Sequence, residues 1–129
     1  MTMTEDVIKI LRQDTDGLIS YEYLANNIDS ISAEDLKLLI ENMTGVDMNG
    51  QFLASAARYL QAIDPVRFEE PIRSLTAATI DKDREHRYLP DLMISLYGED
   101  YRQKAPQLVL TDNNFRRIYK RLYPKADSL

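Results

Sequence analysis

The run Phe115-Arg116-Arg117-Ile118-Tyr119-Lys120-Arg121-Leu122-Tyr123 interleaves cations with aromatic and aliphatic side chains. At about 100° per residue, Arg116 and Lys120, and less squarely Arg117 and Arg121, fall away from a Phe115–Ile118–Leu122 stripe. A helix of this kind can meet phosphates, an RNA backbone or an acidic protein, and Tyr119 and Tyr123 can stack on bases. The competing reading sends the stripe into the chain's own core and leaves the cations to solvent and to the helix C-terminus. The candidate partner surface is Arg116, Arg117, Tyr119, Lys120, Arg121 and Tyr123.

Charge gives that helix a setting. Residues 1–100 hold nine basic and nineteen acidic side chains, and residues 101–129 hold seven basic and two acidic. The balances are −10 and +5 within a net −5. A negative body opposes the approach of DNA, so a protein partner or self-association is favoured over nucleic acid. The basic tail packing beside the acidic body accounts for the asymmetry equally well.

Other chemistry is sparse. His86 is the only histidine and lies in the mixed-charge run Asp81–Arg87, whereas a general base needs a pocket and an orienting partner. There is no cysteine, no nucleophile elbow, no phosphate loop and no His-Glu-x-x-His pair. The expectation is a non-enzymatic module with no catalytic residue, no cofactor and no metal. The charged first twenty residues, the lack of an apolar run of ~20 residues and the absence of cysteine point to the cytoplasm and away from a membrane.

Two local resemblances bear on this. Asp14-Thr15-Asp16-Gly17-Leu18-Ile19-Ser20 resembles an EF-hand loop, with Gly17 at the sixth position, Asp14 and Asp16 at ligand positions, Ile19 at the aliphatic one and Ser20 at the ninth. Arg12 and Tyr23 occupy the first and twelfth positions, so the opening ligand and the bidentate glutamate are missing; calcium is not expected. Residues 20–43 resemble a DNA-binding helix-turn-helix, with Ala25 small at the crossing, but Glu34, Asp35 and Glu41 make the second helix acidic. A structural helix pair is the expectation there.

The elements that must position these residues are helical in their spacing. Thr2 with Glu5 suggests a capping box for a helix carrying Val7, Ile8 and Leu11, ended by the Asp14–Gly17 turn. A second helix lies near residues 20–28. Ser32 caps a third, whose Leu36, Leu39, Ile40 and Met43 form one stripe and which Thr44-Gly45 closes. A fourth, about residues 50–63, puts Leu53, Ala56, Ala57, Leu60 and Ile63 on one side, and its alanines mark it as the centre of the core. Residues 65–80 are one kinked helix or a turn plus a helix. The 81–87 run is a solvated face or the first turns of a helix that Leu89, Leu92, Met93 and Leu96 continue to Gly98, with Pro90 as a kink. Ala105–Leu110 is expected to be an ordered loop, and Thr111 to cap a last helix. No internal repeat stands out. The sum is an all-α single domain, a compact bundle of about six or seven helices or a short stack of helix pairs.

Overall fold

A computed structural model describes residues 5–125. Among them there is no strand, and the fold is all-α as the spacing requires. The helices are α1 (Glu5–Gln13), α2 (Leu18–Asn26), α3 (Ala33–Val46), α4 (Gln51–Ile63), α5 (Glu69–Lys82), α6 (Leu89–Tyr97), α7 (Tyr101–Thr111) and α8 (Asn113–Leu122). Thr2 of the expected capping box lies outside the described residues.

The packing follows a simple order. α1 lies on α3 and α3 on α5; α2 lies on α4, α4 on α6 and α6 on α8. Helices two apart in the chain are therefore neighbours, and consecutive α2 and α3, and above all α4 and α5, also pack together. The described residues thus form the compact bundle expected, with eight helices in place of six or seven and its helix pairs lying in series. The last pair departs from that series, because α8 packs beside α5 while α7 rests on α8 and α6.

Local chemistry explains the best-read elements. Ser32 has extended backbone, and its hydroxyl accepts the Asp35 N–H at 3.0 Å, with Glu34 and Asp35 at the positive end of the helix dipole. Leu36, Leu39, Ile40 and Met43 are buried. α4 is the centre of the core, since Leu53, Ala56, Ala57 and Leu60 are all buried, and two adjacent alanines let α5 approach closely. Ile63, at the end of α4, and Ile8, in α1, lie exposed.

Several expectations need correction. Gly45 does not close α3, which runs on to Val46; Asp47 stops it by turning extended to cap the next helix. Of the two readings of residues 65–80, the turn followed by a helix is the one observed, with Pro71 in the first turn of α5, where a missing N–H removes no helical bond. The 81–87 run is the end of α5 followed by a turn, and Pro90 sits at the start of α6, so it initiates that helix and does not kink it.

The largest miss is Ala105–Leu110, which is helical within α7 despite the interior Pro106. Tyr101 and Ala105, one turn apart, bury against the neighbouring helices, and Leu108 and Val109 pack on the same core. That burial offsets an interior proline's cost of about 3 kcal/mol. Thr111 ends α7, and Asp112 caps α8 by accepting the Phe115 N–H at 3.0 Å.

Candidate interaction surface

The turns within the first three helix pairs share one construction. Asp14, Asp47 and Asp83 are 5%, 1% and 2% exposed. Asp14 accepts the N–H groups of Asp16 and Gly17 on Oδ1, and of Ser20 on Oδ2 at 2.9 Å. Asp47 accepts Asn49 and Gly50 on Oδ1, and Phe52 and Leu53 on Oδ2, both at 2.9 Å. Asp83 accepts Arg87 on Oδ1, and Tyr88 and Leu89 on Oδ2. In each turn the carboxylate reaches the residue six places on and satisfies the open N–H groups at the start of the following helix.

This device repeats at spacings of 33 and 36 residues, and the sequence reading missed it. The turns also touch. A Cβ added to Gly17 would lie 3.4 Å from the Asp47 Cβ, and one added to Gly50 would lie 3.3 Å from the Asp83 Cβ. The EF-hand-like carboxylate of Asp14 is thus spent on backbone. Burial raises that carboxyl, but hydrogen bonds from Ser20, Gly17 and Asp16 outweigh it and hold the group below its ordinary 3.8. The contribution of Asp14 is complete above that pH and is lost only as pH falls further. Among the described residues no group of three His, Cys, Asp or Glu is placed to hold a metal ion.

The third residue after each aspartate has positive φ: Gly17 at 102°, Gly50 at 86° and His86 at 57°. His86 is therefore a side chain in a glycine position. His86→Gly is expected to raise stability by roughly 0.5–1 kcal/mol, the left-handed penalty less the extra entropy of glycine in the unfolded chain. A higher urea midpoint at unchanged slope would show it; a lower one would mean that the imidazole is held by contacts worth more than the strain.

The candidate residues of α8 divide. Phe115, Ile118 and Tyr119 are buried, Tyr119 at 7% exposed, so the stripe belongs to the chain's own core. Arg116 and Lys120 are exposed, and Arg116 donates to the Asn113 side chain. Arg117 crosses to Asp81 at 2.9 Å, and Arg121 donates to the Ile80 carbonyl, so both bind α8 to the end of α5. Tyr123 is half-buried, its hydroxyl 2.7 Å from that of Tyr101 and its ring beneath the Arg102 guanidinium at 4.4 Å. Of the six, Arg116 and Lys120 carry no tie to another helix among the described residues, and the tyrosines join helices.

Those tyrosines belong to an aromatic cluster around the buried Phe115, with Tyr101 and Tyr119 buried and Tyr97 and Tyr123 half-buried. Tyr97 meets Phe115 edge-on at 4.9 Å and donates to Asp112 Oδ2 at 3.0 Å. Burial, then the Asp112 charge and hydrogen bond, push the Tyr97 phenol far above its ordinary 10.0. Burial and the bond with Tyr123 push Tyr101 up to about 12. Neutral phenols thus favour the fold; their contribution is full below pH ~10 and is lost as pH rises through the folded values. Melting temperature is expected to fall above pH ~10, and to fall less steeply in Tyr97→Phe. A flat profile in the parent protein would contradict the buried placement.

Several concavities complete the surface of the described residues, among them one of about 430 Å³ on α7, lined by Gln103, Lys104, Pro106, Gln107, Leu108 and Thr111. A cavity of about 170 Å³ between α4, α5, α6 and α8 is lined by Gln61, Arg73, Tyr97, Asp112 and Asn114 among others. Its polar groups are spent on one another: Arg73 pairs with Glu69 at 3.1 Å, Asn114 donates to the Arg73 carbonyl at 3.2 Å, and Tyr97 holds Asp112. It is also below the ~300 Å³ at which small-molecule pockets begin. A basin of about 620 Å³ between the second and third turns mixes Lys82, Arg84 and Arg87 with Asp81 and Glu85, and Arg87 is paired with Glu85 at 3.0 Å. Another is a groove of about 570 Å³ between α3 and α5, lined by Ala33, Lys37, Ile40, Glu41, Thr44, Glu70, Pro71 and Ser74.

Comparison with protein-family models, with curated proteins and with solved structures finds no match to this chain. Among the described residues no helix is long and apolar enough to cross a membrane.

Proposed function

We propose that the protein is a non-enzymatic protein-interaction module that receives a segment of a partner protein in the groove between α3 and α5. The groove itself supports this reading. It runs between neighbouring helices of one layer, with Ala33, Ile40, Thr44 and Pro71 giving small and apolar walls. Stacked helix pairs use such inter-helix surfaces to hold extended or helical segments. Glu41 and Glu70, against the single Lys37, call for basic residues on the partner. A cysteine-free composition suits the cytoplasm. Affinity capture at moderate salt tests the reading when the parent protein is compared with Ser74→Arg, an exposed change that fills the groove. A stoichiometric partner kept by the parent and lost by the variant is expected; no partner, or one indifferent to the substitution, defeats it.

A nucleic-acid reading draws on the exposed Arg116 and Lys120 in a segment of balance +5. Neutralising all four cations of α8 would also cut its ties to Asp81 and Ile80, so the informative variant is Arg116→Gln with Lys120→Gln. Binding that falls steeply with salt and weakens in that double variant would favour this second function.

A further inference from the structure

We propose that Asn49 is a site of spontaneous covalent modification, closed while the turn between α3 and α4 is made and open when that turn breaks. Asn49-Gly50 is the one Asn-Gly pair in the chain. In such a pair the glycine nitrogen attacks the asparagine Cγ readily, because no side chain on the glycine shields it. A new N–Cγ bond forms, the side-chain amide bond breaks, and ammonia leaves with the proton of the glycine N–H. Water then opens the cyclic imide at one carbonyl or the other, giving aspartate or isoaspartate.

The folded turn holds both reacting groups away from this step. Asn49 is exposed, so water reaches it, but Gly50 is buried and its N–H donates to Asp47 Oδ1 at 3.0 Å. The attacking species is the deprotonated amide. Forming that anion here would give up a bond to a carboxylate and set two negative charges side by side. Asn49 Oδ1 accepts the Gln51 N–H at 3.1 Å, which ties its side chain to the start of α4. Gly50 also packs on the next turn, where an added Cβ would lie 3.3 Å from the Asp83 Cβ and 3.4 Å from its backbone nitrogen.

The first turn shows how the two products differ. Asp16 stands where deamidation would place an aspartate, and its Oδ1 accepts the Leu18 N–H at 3.0 Å, as Asn49 accepts that of Gln51. Aspartate at position 49 therefore fits the turn. Isoaspartate routes the chain through the side chain and adds a backbone carbon between Asp47 and the Gly50, Phe52 and Leu53 N–H groups that its carboxylate gathers. That carbon breaks the register of the cap, so an opening that ends in isoaspartate is not reversed by refolding.

Peptide mass spectrometry of the full chain, held at mildly alkaline pH and sampled over days, reads conversion at Asn49 directly. The chain unfolded in guanidinium is expected to give both products. The native parent should convert at least about 100-fold more slowly, a factor set by how rarely the turn opens. Asp47→Ala, checked for folding by circular dichroism, should convert at least about 10-fold faster than the parent, with Asp47→Asn, which keeps one accepting oxygen, in between. Phe115→Ala, which loosens α6 to α8, should convert at the parent's rate and so separates opening of this turn from a general loss of stability. A native parent that converts as fast as the unfolded chain overturns the proposal. So does a folded Asp47 variant no faster than the parent, or a Phe115→Ala as fast as the Asp47 variants.

Discussion

Asp47→Ala is expected to cost about 3 kcal/mol or more, one of the largest losses available to a single residue outside the apolar core. Four backbone N–H groups, those of Asn49, Gly50, Phe52 and Leu53, converge on a carboxylate that is 1% exposed. Alanine leaves them without that acceptor, the Gly50 and Leu53 N–H groups in buried surroundings. The damage should extend beyond one turn, because Gly17 packs on the Asp47 Cβ and Gly50 on that of Asp83. Asp47→Asn is the informative control. Its amide keeps one accepting oxygen but turns an NH₂ donor toward N–H donors, so it should recover less than half of the loss. Denaturant midpoints of the two variants check this; a loss below about 1 kcal/mol in Asp47→Ala would place the turn at the surface.

Phe115→Ala is expected to cost roughly 3–5 kcal/mol, the range for emptying a buried aromatic site. Phe115 is fully buried and touches the rings of Tyr97, Tyr101 and Tyr119 at 4.9, 6.2 and 5.4 Å. It thereby joins α6, α7 and α8 in one contact. Because a stack is held by neighbours, the loss should be local. Amides of residues 101–122 should exchange hydrogen much faster, while those of α2 and α4 change little. A uniform acceleration over the whole chain would instead show a single cooperative core.

The parts of this architecture legible in the sequence are those decided within one helix. Ser32 followed by Glu34 and Asp35, and the Leu36–Met43 stripe, are local rules that the packing has no reason to override. The paired alanines of α4 likewise announce close approach. The helix pairs themselves were hidden, since their repeat consists of very few residues. Asp-x-Asp-Gly at 14–17 and Asp-x-Asn-Gly at 47–50 were a visible pair, but His86 replaces the third glycine, and the third turn is longer. The resemblance of the first turn to a metal loop also drew the carboxylate outward in the reading, whereas it faces in.

The region after Gly98 failed for a different reason. Pro106 argues against a helix locally, and only the burial of Tyr101 and Ala105 against other helices settles the matter. The same holds for the candidate surface on α8. Helical geometry alone put Arg117 and Arg121 at the margin of the stripe, yet whether they face solvent or cross to Asp81 and Ile80 depends on the neighbour α8 acquires, which no local spacing reports.

Native-state hydrogen exchange at the turn amides tests most directly whether buried aspartates hold this chain as a ladder of helix pairs. Gly17, Ser20, Gly50, Phe52, Leu53, Tyr88 and Leu89 should be protected to the level of helix interiors, since each donates to an inward carboxylate. Exchange at these positions as rapid as at an exposed turn amide such as Met48 would mean that the carboxylates face water, and the ladder would be gone.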